Sequence, residues 1–270
     1  MINPAYLTAI KDDDDIIYDN LNYYYNIGIR DFFIMLHCSD EKTVNEIKRF
    51  ESDKKTSIHF LIDNDYTFKQ ELHFKQLSEL AWSHGFNWHI ASDSDELLVL
   101  RKHRTIQEFL SNYPDNDTIT FEWSFYSNVS TGKTGNMFLD RKYRRIEKAL
   151  WTKSIAQWTE KTKLYWVVGQ HYLVNSETPA IITSDIAFYA HFPYRSFERW
   201  SKRFTDWAVT KQKRFKNDQN SAGWLYEYNQ LQEPNFLKKQ WDDNLNKEYG
   251  GDTINLDTFI FDPLYPDLFN

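Results

Sequence analysis

The residues Asp93-Ser94-Asp95-Glu96 put three carboxylates into four consecutive positions of the chain. Hard divalent cations such as Mg2+ and Mn2+ take oxygen ligands, and they commonly bridge one or two protein carboxylates to the phosphates of a substrate. Two aspartates separated by one residue suit that task when they leave a strand. One can hold the cation while the other holds a cation-bound water or a ribose hydroxyl. The same residues also make an ordinary solvated turn or cap the next element, and the spacing by itself occurs often by chance. Position separates the two readings. Phe86 to Ala91 is an apolar run that reads as a buried strand entering the acidic turn directly, and open α/β sheets bind ligands at the carboxyl ends of their strands.

A strand delivers a turn to such an edge only inside a sheet. The first half of the chain alternates short apolar runs with helix-like segments, the pattern of strands joined by crossover helices. Tyr6 to Ile10 reads as the first strand. Asp12 to Asp15 then precede Ile17, Leu21, Tyr24 and Gly28 at near-helical spacing. Carboxylates are favoured at a helix start, and a glycine is favoured just past its end. Phe32 to Leu36 reads as the second strand, Val44 to Phe50 as a short helix, and Ser57 to Ile62 as a third strand ending on Asp63. A longer helix from Phe68 to His84 stops at Gly85. Beyond the turn come the apolar Leu97 to Leu100, a helix over Ile106 to Tyr113 and an alternating strand from Thr118 to Tyr126. Ser127 to Lys148, with its glycines and the basic cluster Arg141, Lys142, Arg144 and Arg145, reads as a loop region. Such a cluster either closes over phosphates or is a solvated surface. Segments at Trp166 to Val174 and Ile181 to Ala190, a basic aromatic stretch from Tyr194 to Lys216 and an aromatic, acidic tail complete the chain.

Composition bounds the partners. With 41% hydrophobic residues and ten tryptophans, the 270 residues can bury a large core without disulfides or metals as staples. A net charge of -7 argues against a constitutive nucleic-acid binder, which draws its affinity from neutralising phosphates. Cys38 is the only cysteine, so no internal disulfide forms and a reducing compartment fits. The start of the chain lacks a signal-peptide pattern, and no apolar run approaches the ~20 residues that span a bilayer. A cytoplasmic protein is the expectation.

Several stretches resemble glycosyltransferase family 2-like proteins of the GT-A fold. Trp88-His89-Ile90-Ala91-Ser92-Asp93-Ser94-Asp95-Glu96-Leu97-Leu98 is similar to that family's W-x-x-x-x-D-x-D-E-F-hydrophobic segment. Three other stretches follow the family's order. Ile10 to Ile16, Tyr23 to Gly28 and Asp31 to Ile34 resemble its opening; Lys153-Ser154-Ile155 resembles a K-S-I element; and His191-Phe192-Pro193-Tyr194-Arg195-Ser196-Phe197-Glu198-Arg199-Trp200 resembles its closing motif. The chain departs from the family at Asp12-Asp13, where Asn-Glu is usual, and at His37-Cys38-Ser39-Asp40, where Asp-Asn-x-Ser is usual.

The resemblance implies an α/β fold, a GT-A-like, mostly parallel sheet flanked by helices, with a helical, aromatic-rich C-terminal elaboration. Residues 1–190 would be the catalytic domain and 191–270 an extension packed on it. The implied activity is transfer of a sugar from a nucleotide-diphosphate donor, such as a UDP-sugar, to a glycan or lipid-linked acceptor in surface polysaccharide biosynthesis. The implied cofactor is Mn2+ or Mg2+, held by Asp93, Asp95 and His191, with Asp95 the direct ligand. Lys11, Asp12, Asp40 and Asp63 would line the base and ribose pocket, Asp93 and Arg195 would meet the diphosphate, and Glu96 would orient the turn or touch the donor sugar. Inversion calls for one carboxylate as general base, and Glu122, Asp140 and Asp185 are the candidates, with Glu122 preferred. A non-catalytic sugar-binding module and a metal-dependent nucleotidyltransferase are the rival readings. No nucleic-acid partner is expected. Residues 199–216 read as an amphipathic helix whose aromatic stripe of Trp200, Phe204 and Trp207 packs on the protein. Alternatively, its cations Lys202, Arg203, Lys213, Arg214 and Lys216 meet an anionic membrane.

Overall fold

The computed structural model describes residues 2–65, 69–130, 132–147, 149–159, 165, 166, 168–170, 173–193, 195–215, 231, 233, 235–248 and 256–269. They divide into two compact units, Met1–Ser124 with Glu147–His191 and Leu264–Asn270, and Phe125–Ile146 with Phe192–Pro263. In chain order the elements are β1 (Pro4–Ile10), α1 (Ile17–Asn26), β2 (Asp31–His37), α2 (Glu41–Lys54), β3 (Ser57–Asp63), α3 (Gln70–Ser83), β4 (Trp88–Ala91), β5 (Glu96–Leu100), α4 (Ile106–Leu110) and β6 (Thr118–Phe125). There follow α5 (Met137–Asp140), β7 (Tyr143–Arg145), β8 (Thr152–Gln157), β9 (Tyr165–Trp166), β10 (Leu173–Val174), β11 (Pro179–Ile182), β12 (Ala187–His191), α6 (Phe197–Phe215), α7 (Phe236–Glu248) and β13 (Phe259–Phe261).

The first unit is the expected α/β assembly, a large sheet flanked by helices. Among the described residues the sheet has nine strands in the order β3-β2-β1-β4-β8-β6-β12-β5, with β11 on β6. β3, β2, β1 and β4 are parallel, as their helical crossovers require. Past β4 the direction changes: β8 runs antiparallel to both β4 and β6, and β12 antiparallel to β5. Strand alternation splits the side chains of β1 and β2 between two layers. Ala5, Leu7, Phe33 and Met35 pack with Phe74, Leu77 and Ala81 of α3. On the other face Tyr6 stacks on Tyr24 of α1, and Phe32 meets Phe50 of α2.

Several expected boundaries move, for local reasons. α2 is twice the expected length because Asp40 caps it, its carboxylate accepting from the Thr43 amide at 2.9 Å, and the polar turns on either side of the apolar core continue the helix. The Ile181 to Ala190 run is two strands. A turn closed by the Ile186 amide on the Thr183 carbonyl at 3.0 Å separates β11 from β12. The aspartates before α1 do not cap it through their side chains. Ile16 occupies the cap, and the Asp13 main-chain carbonyl accepts from the Ile16 and Ile17 amides. Gly28 has the expected role: its φ of +107° lies in the left-handed region, and the Ile29 amide closes back on the Tyr24 carbonyl.

In the second unit the expected loop region contains α5 and β7, with β7 antiparallel to β13. The basic cluster there is partly consumed by structure: Arg144 pairs with Asp262 at 2.6 Å, and buried Arg141 donates to the Arg195 carbonyl at 3.0 Å. α6 realises the expected helix. Its Trp200 and Phe204 face Trp241 and Phe236 of α7, so at these positions the aromatic stripe is covered by a helix of its own unit, while Lys202 and Arg203 are exposed. Tyr194 and Lys216, and the side chains of Trp207, Lys211, Lys213 and Arg214, lie outside the described residues. Among the described residues no helix is long and apolar enough to cross a membrane.

Candidate active site at the carboxyl edge of the sheet

The registers collect the candidate residues at one edge of the first unit. Parallel pairing of Ile10 with Leu36 and of Leu36 with Ile62 brings the ends of β1, β2 and β3 level, and Leu7 pairs with Ala91, the last residue of β4. Lys11, Asp12, Asp40 and Asp63 therefore leave the same edge as the acidic turn. Because β8 is antiparallel to β4 and β6 to β8, the start of β8 and the end of β6 reach this edge too. His191 arrives at the end of β12, paired in register with Glu96.

The turn itself is tightly held. Glu96 is fully buried and its Oε2 lies 2.8 Å from the Lys153 Nζ, itself buried, while Asp93 Oδ2 is 3.6 Å from the same ammonium. Glu96 Oε2 also accepts from the Asp93 amide at 3.2 Å. Asn20 and Tyr24 of α1 donate to the Glu96 carbonyl. Ser94 donates to the carboxylate of Asp13 at 2.7 Å, which ties the turn to the loop after β1. Gln70 completes a ring: its amide donates to Asp93 Oδ1 at 3.2 Å and accepts from the Gly169 amide at 2.9 Å, and Lys153 donates to the Gly169 carbonyl.

Electrostatics follow from this packing. Burial pulls the Lys153 ammonium down, but Glu96, Asp93 and Asp95 outweigh it and raise it above the ordinary lysine value, so it stays charged. Burial pushes Glu96 up, and Lys153 opposes that shift. His191 Nε2 stands 3.7 Å from Asp95 Oδ1, and the imidazole stacks on Trp123 with centroids 4.5 Å apart, which fixes its plane.

The structure brings together Asp93, Asp95, Glu96 and His191, with Lys11, Asp12, Asp40 and Asp63 along the same edge. Asp12, at a φ of +54°, accepts from the Asp40 amide at 3.0 Å. Asp63 accepts from His73 at 2.7 Å, a bond that holds its carboxyl below the usual range. Glu122 and Asp185 are placed elsewhere. Glu122 alternates with Phe121 and Trp123 on β6, and Phe121 is paired with Lys153, so Glu122 belongs to the opposite face of the sheet from the Lys153, Glu96 and His191 cluster. Asp185 precedes β12, whose far end carries His191. The whole of β12 separates them, and Asp185 is exposed and paired with Lys102. Asp140 and Arg195 belong to the second unit, where the Asp140 carboxylate accepts from the Lys133, Thr134 and Gly135 amides and so shapes its own loop.

Glu96, expected to orient the turn or touch the donor sugar, has its Oε2 and its carbonyl bound internally and holds the Asp93 amide. Sequence reading gave Lys153 no role, although Lys-Ser-Ile was singled out, and it missed Asp13, Gln70 and Trp123. No local signal marks a lysine whose carboxylate partners lie 57 and 60 positions away.

The donor set suits a hard divalent cation. Asp95 and His191 offer a carboxylate and an imidazole, and Mn2+ accepts both. Among the described residues no three His, Cys, Asp or Glu side chains already form a cation-holding group, and Asp93 is turned toward Gln70 and Lys153. Were Asp95 and His191 to hold such a cation, substrate phosphates and water would complete its shell.

No family model and no curated protein matches the chain. Among solved structures it is similar to TarS 1-349 from S. aureus, at 10% identity over 92% of this chain and 75% of that one, with a TM-score of 0.47. It is also similar to HddC from Yersinia pseudotuberculosis, at 9% identity over 74% of this chain and 97% of that one, with a TM-score of 0.41. A third is the mannosyltransferase PcManGT from Pyrobaculum calidifontis in complex with GDP-Man and Mn2+, at 10% identity over 91% of this chain and 75% of that one, with a TM-score of 0.41.

Proposed function

We propose that the protein is a metal-dependent glycosyltransferase that moves a sugar from a nucleotide-diphosphate donor, such as a UDP-sugar, to a glycan or lipid-linked acceptor with inversion, in surface polysaccharide biosynthesis. The observation that carries this reading is the braced acidic turn. Three carboxylates, a buried lysine and a stacked histidine converge where β4 leaves the carboxyl edge of a sheet.

In this reading Asp95 and His191 would hold Mn2+ or Mg2+, and Asp93 would act through cation-bound water. The cation supplies charge neutralisation for the leaving diphosphate. The chain's own residues supply geometry. Lys153 and Glu96 keep the turn rigid, so the donor meets carboxylates already in place and little ordering is left to binding. Asp12 and Asp40, locked to each other, and Lys11 face the nucleoside side of the edge. Residues 1–190 would form the catalytic part and 191–270 the extension.

A panel of nucleotide sugars scored for Mn2+-dependent hydrolysis tests the reading without knowledge of the acceptor. Hydrolysis of at least one donor that stops on chelation is the expected result. Hydrolysis of none, or hydrolysis indifferent to chelation, would overturn it.

A further inference from the structure

The sheet order ends at β5, so among the described residues one edge of the strand that leaves the acidic turn has no strand beside it. Backbone groups on a buried edge need partners from elsewhere. Helix α1 supplies them with side chains. Asn20 and Tyr24 donate to the Glu96 carbonyl at 3.2 and 3.3 Å, the Leu98 amide donates to the Tyr24 hydroxyl at 3.1 Å, and Tyr23 donates to the Leu98 carbonyl at 2.9 Å. The seating of α1 therefore fixes the strand that begins directly after Asp95.

α1 is held in turn by a distant part of the chain. Leu264–Asn270 belongs to the first unit, whereas the residues just before it, up to Pro263, belong to the second. Pro266–Phe269 forms a short 3-10 helix, and Leu264 and Phe269 are buried. Asn22 donates to the Phe269 carbonyl at 2.8 Å, and Asn26, one turn along α1, donates to the Leu268 carbonyl at 3.1 Å. The Phe269 ring lies against Tyr23, with centroids 5.4 Å apart. Tyr23 thus meets this segment with its ring and β5 with its hydroxyl. Asn20 and Asn22 are both buried, and a buried carboxamide costs stability unless its partners are held in place.

We propose that residues 264–269 are a positioning clip for the acidic turn: docked on Asn22, Tyr23 and Asn26, they seat α1 so that Asn20, Tyr23 and Tyr24 hold β5, and with it the turn, in the geometry that takes the cation and the diphosphate. The consequence for binding rests on the donor-site reading given above, while the link from clip to turn does not. Phe269 and Asn22 act through α1 and are positioning residues.

Hydrogen exchange read by mass spectrometry on the full chain, free of ligand, tests the link in Phe269→Ala, Asn22→Ala and Phe269→Leu. Residues 93–98 report on the turn and β5, and β2 and β3 report on the fold at large. In Phe269→Ala the 93–98 amides exchange about ten-fold faster, the effect of losing one buried aromatic contact on a local opening, while β2 and β3 keep their protection. Asn22→Ala acts in the same direction, and Phe269→Leu restores most of the protection. Calorimetry with UDP and Mn2+ gives a several-fold lower affinity in Phe269→Ala. Unchanged exchange at 93–98 in both alanine variants, or equal acceleration in β2 and β3, overturns the clip. Faster exchange at 93–98 with undiminished UDP affinity overturns its role in positioning. Failure of the unmodified protein to bind UDP with Mn2+ overturns the donor reading instead, and the exchange series still decides the clip.

Discussion

At the scale of single residues, the site depends on a charge pair that water does not reach. Lys153 and Glu96 are each about 1% exposed at the side chain and 2.8 Å apart. A buried pair gains little net stability over apolar neighbours, but removing one partner strands the other, at a cost of about 3–5 kcal/mol. Lys153→Met should therefore lower the unfolding free energy by about that amount, and the Lys153→Met, Glu96→Gln double variant should recover much of the loss, because no buried charge is then unpaired. Urea unfolding at neutral pH reads both. A loss under about 1 kcal/mol in the single variant would show the pair to be as weak as a solvated surface contact. The sequence made the acidic turn legible because Asp-x-Asp-Glu is local. It left Lys153, Asp13 and Gln70 illegible because their partners arrive only through the fold.

At the scale of elements, β4 carries the turn, and its inward face bears on the protein's acid stability. His89 is fully buried, stacks on Trp158 with centroids 5.3 Å apart, and donates from Nε2 to the Phe86 carbonyl. Burial lowers it from 6.5 to about 4. A lowered folded-state value means that the unfolded chain takes up the proton first, so the contribution of neutral His89 is complete above pH 6.5 and drains away as pH falls toward 4. The full loss is about 3 kcal/mol. Unfolding measured between pH 7.5 and 4.5 should show the unmodified protein losing about 2–3 kcal/mol more than His89→Gln; parallel curves would show that the histidine titrates normally. The strands of the parallel half were legible as elements because each is a short apolar run between turn residues. The antiparallel half was less so. Nothing in the single apolar run from Ile181 to Ala190 tells how its two pieces pair, one parallel to β6 and one antiparallel to β5. The opposite-face placement of Glu122 likewise depends on a register with β8 that emerges only from the sheet.

At the scale of the whole molecule, an acidic chain with a net charge of -7 concentrates carboxylates at one sheet edge. The turn's three carboxylates have one buried lysine among them, a setting in which a divalent cation and a phosphorylated ligand bind better together than apart. The aromatic surplus in the composition serves two ends. It fills the layers around β1 and β2 and packs α6 on α7 in the second unit. The central claim, that the braced turn holds a cation for a nucleoside diphosphate, is tested most directly by calorimetric titration of UDP in the presence of Mn2+, comparing the unmodified protein with Asp95→Ala. The expected result is Mn2+-dependent binding that weakens by about 10- to 100-fold or more in the variant while the melting temperature stays within a few degrees. Unchanged affinity in Asp95→Ala, or UDP binding that persists after chelation, would contradict it.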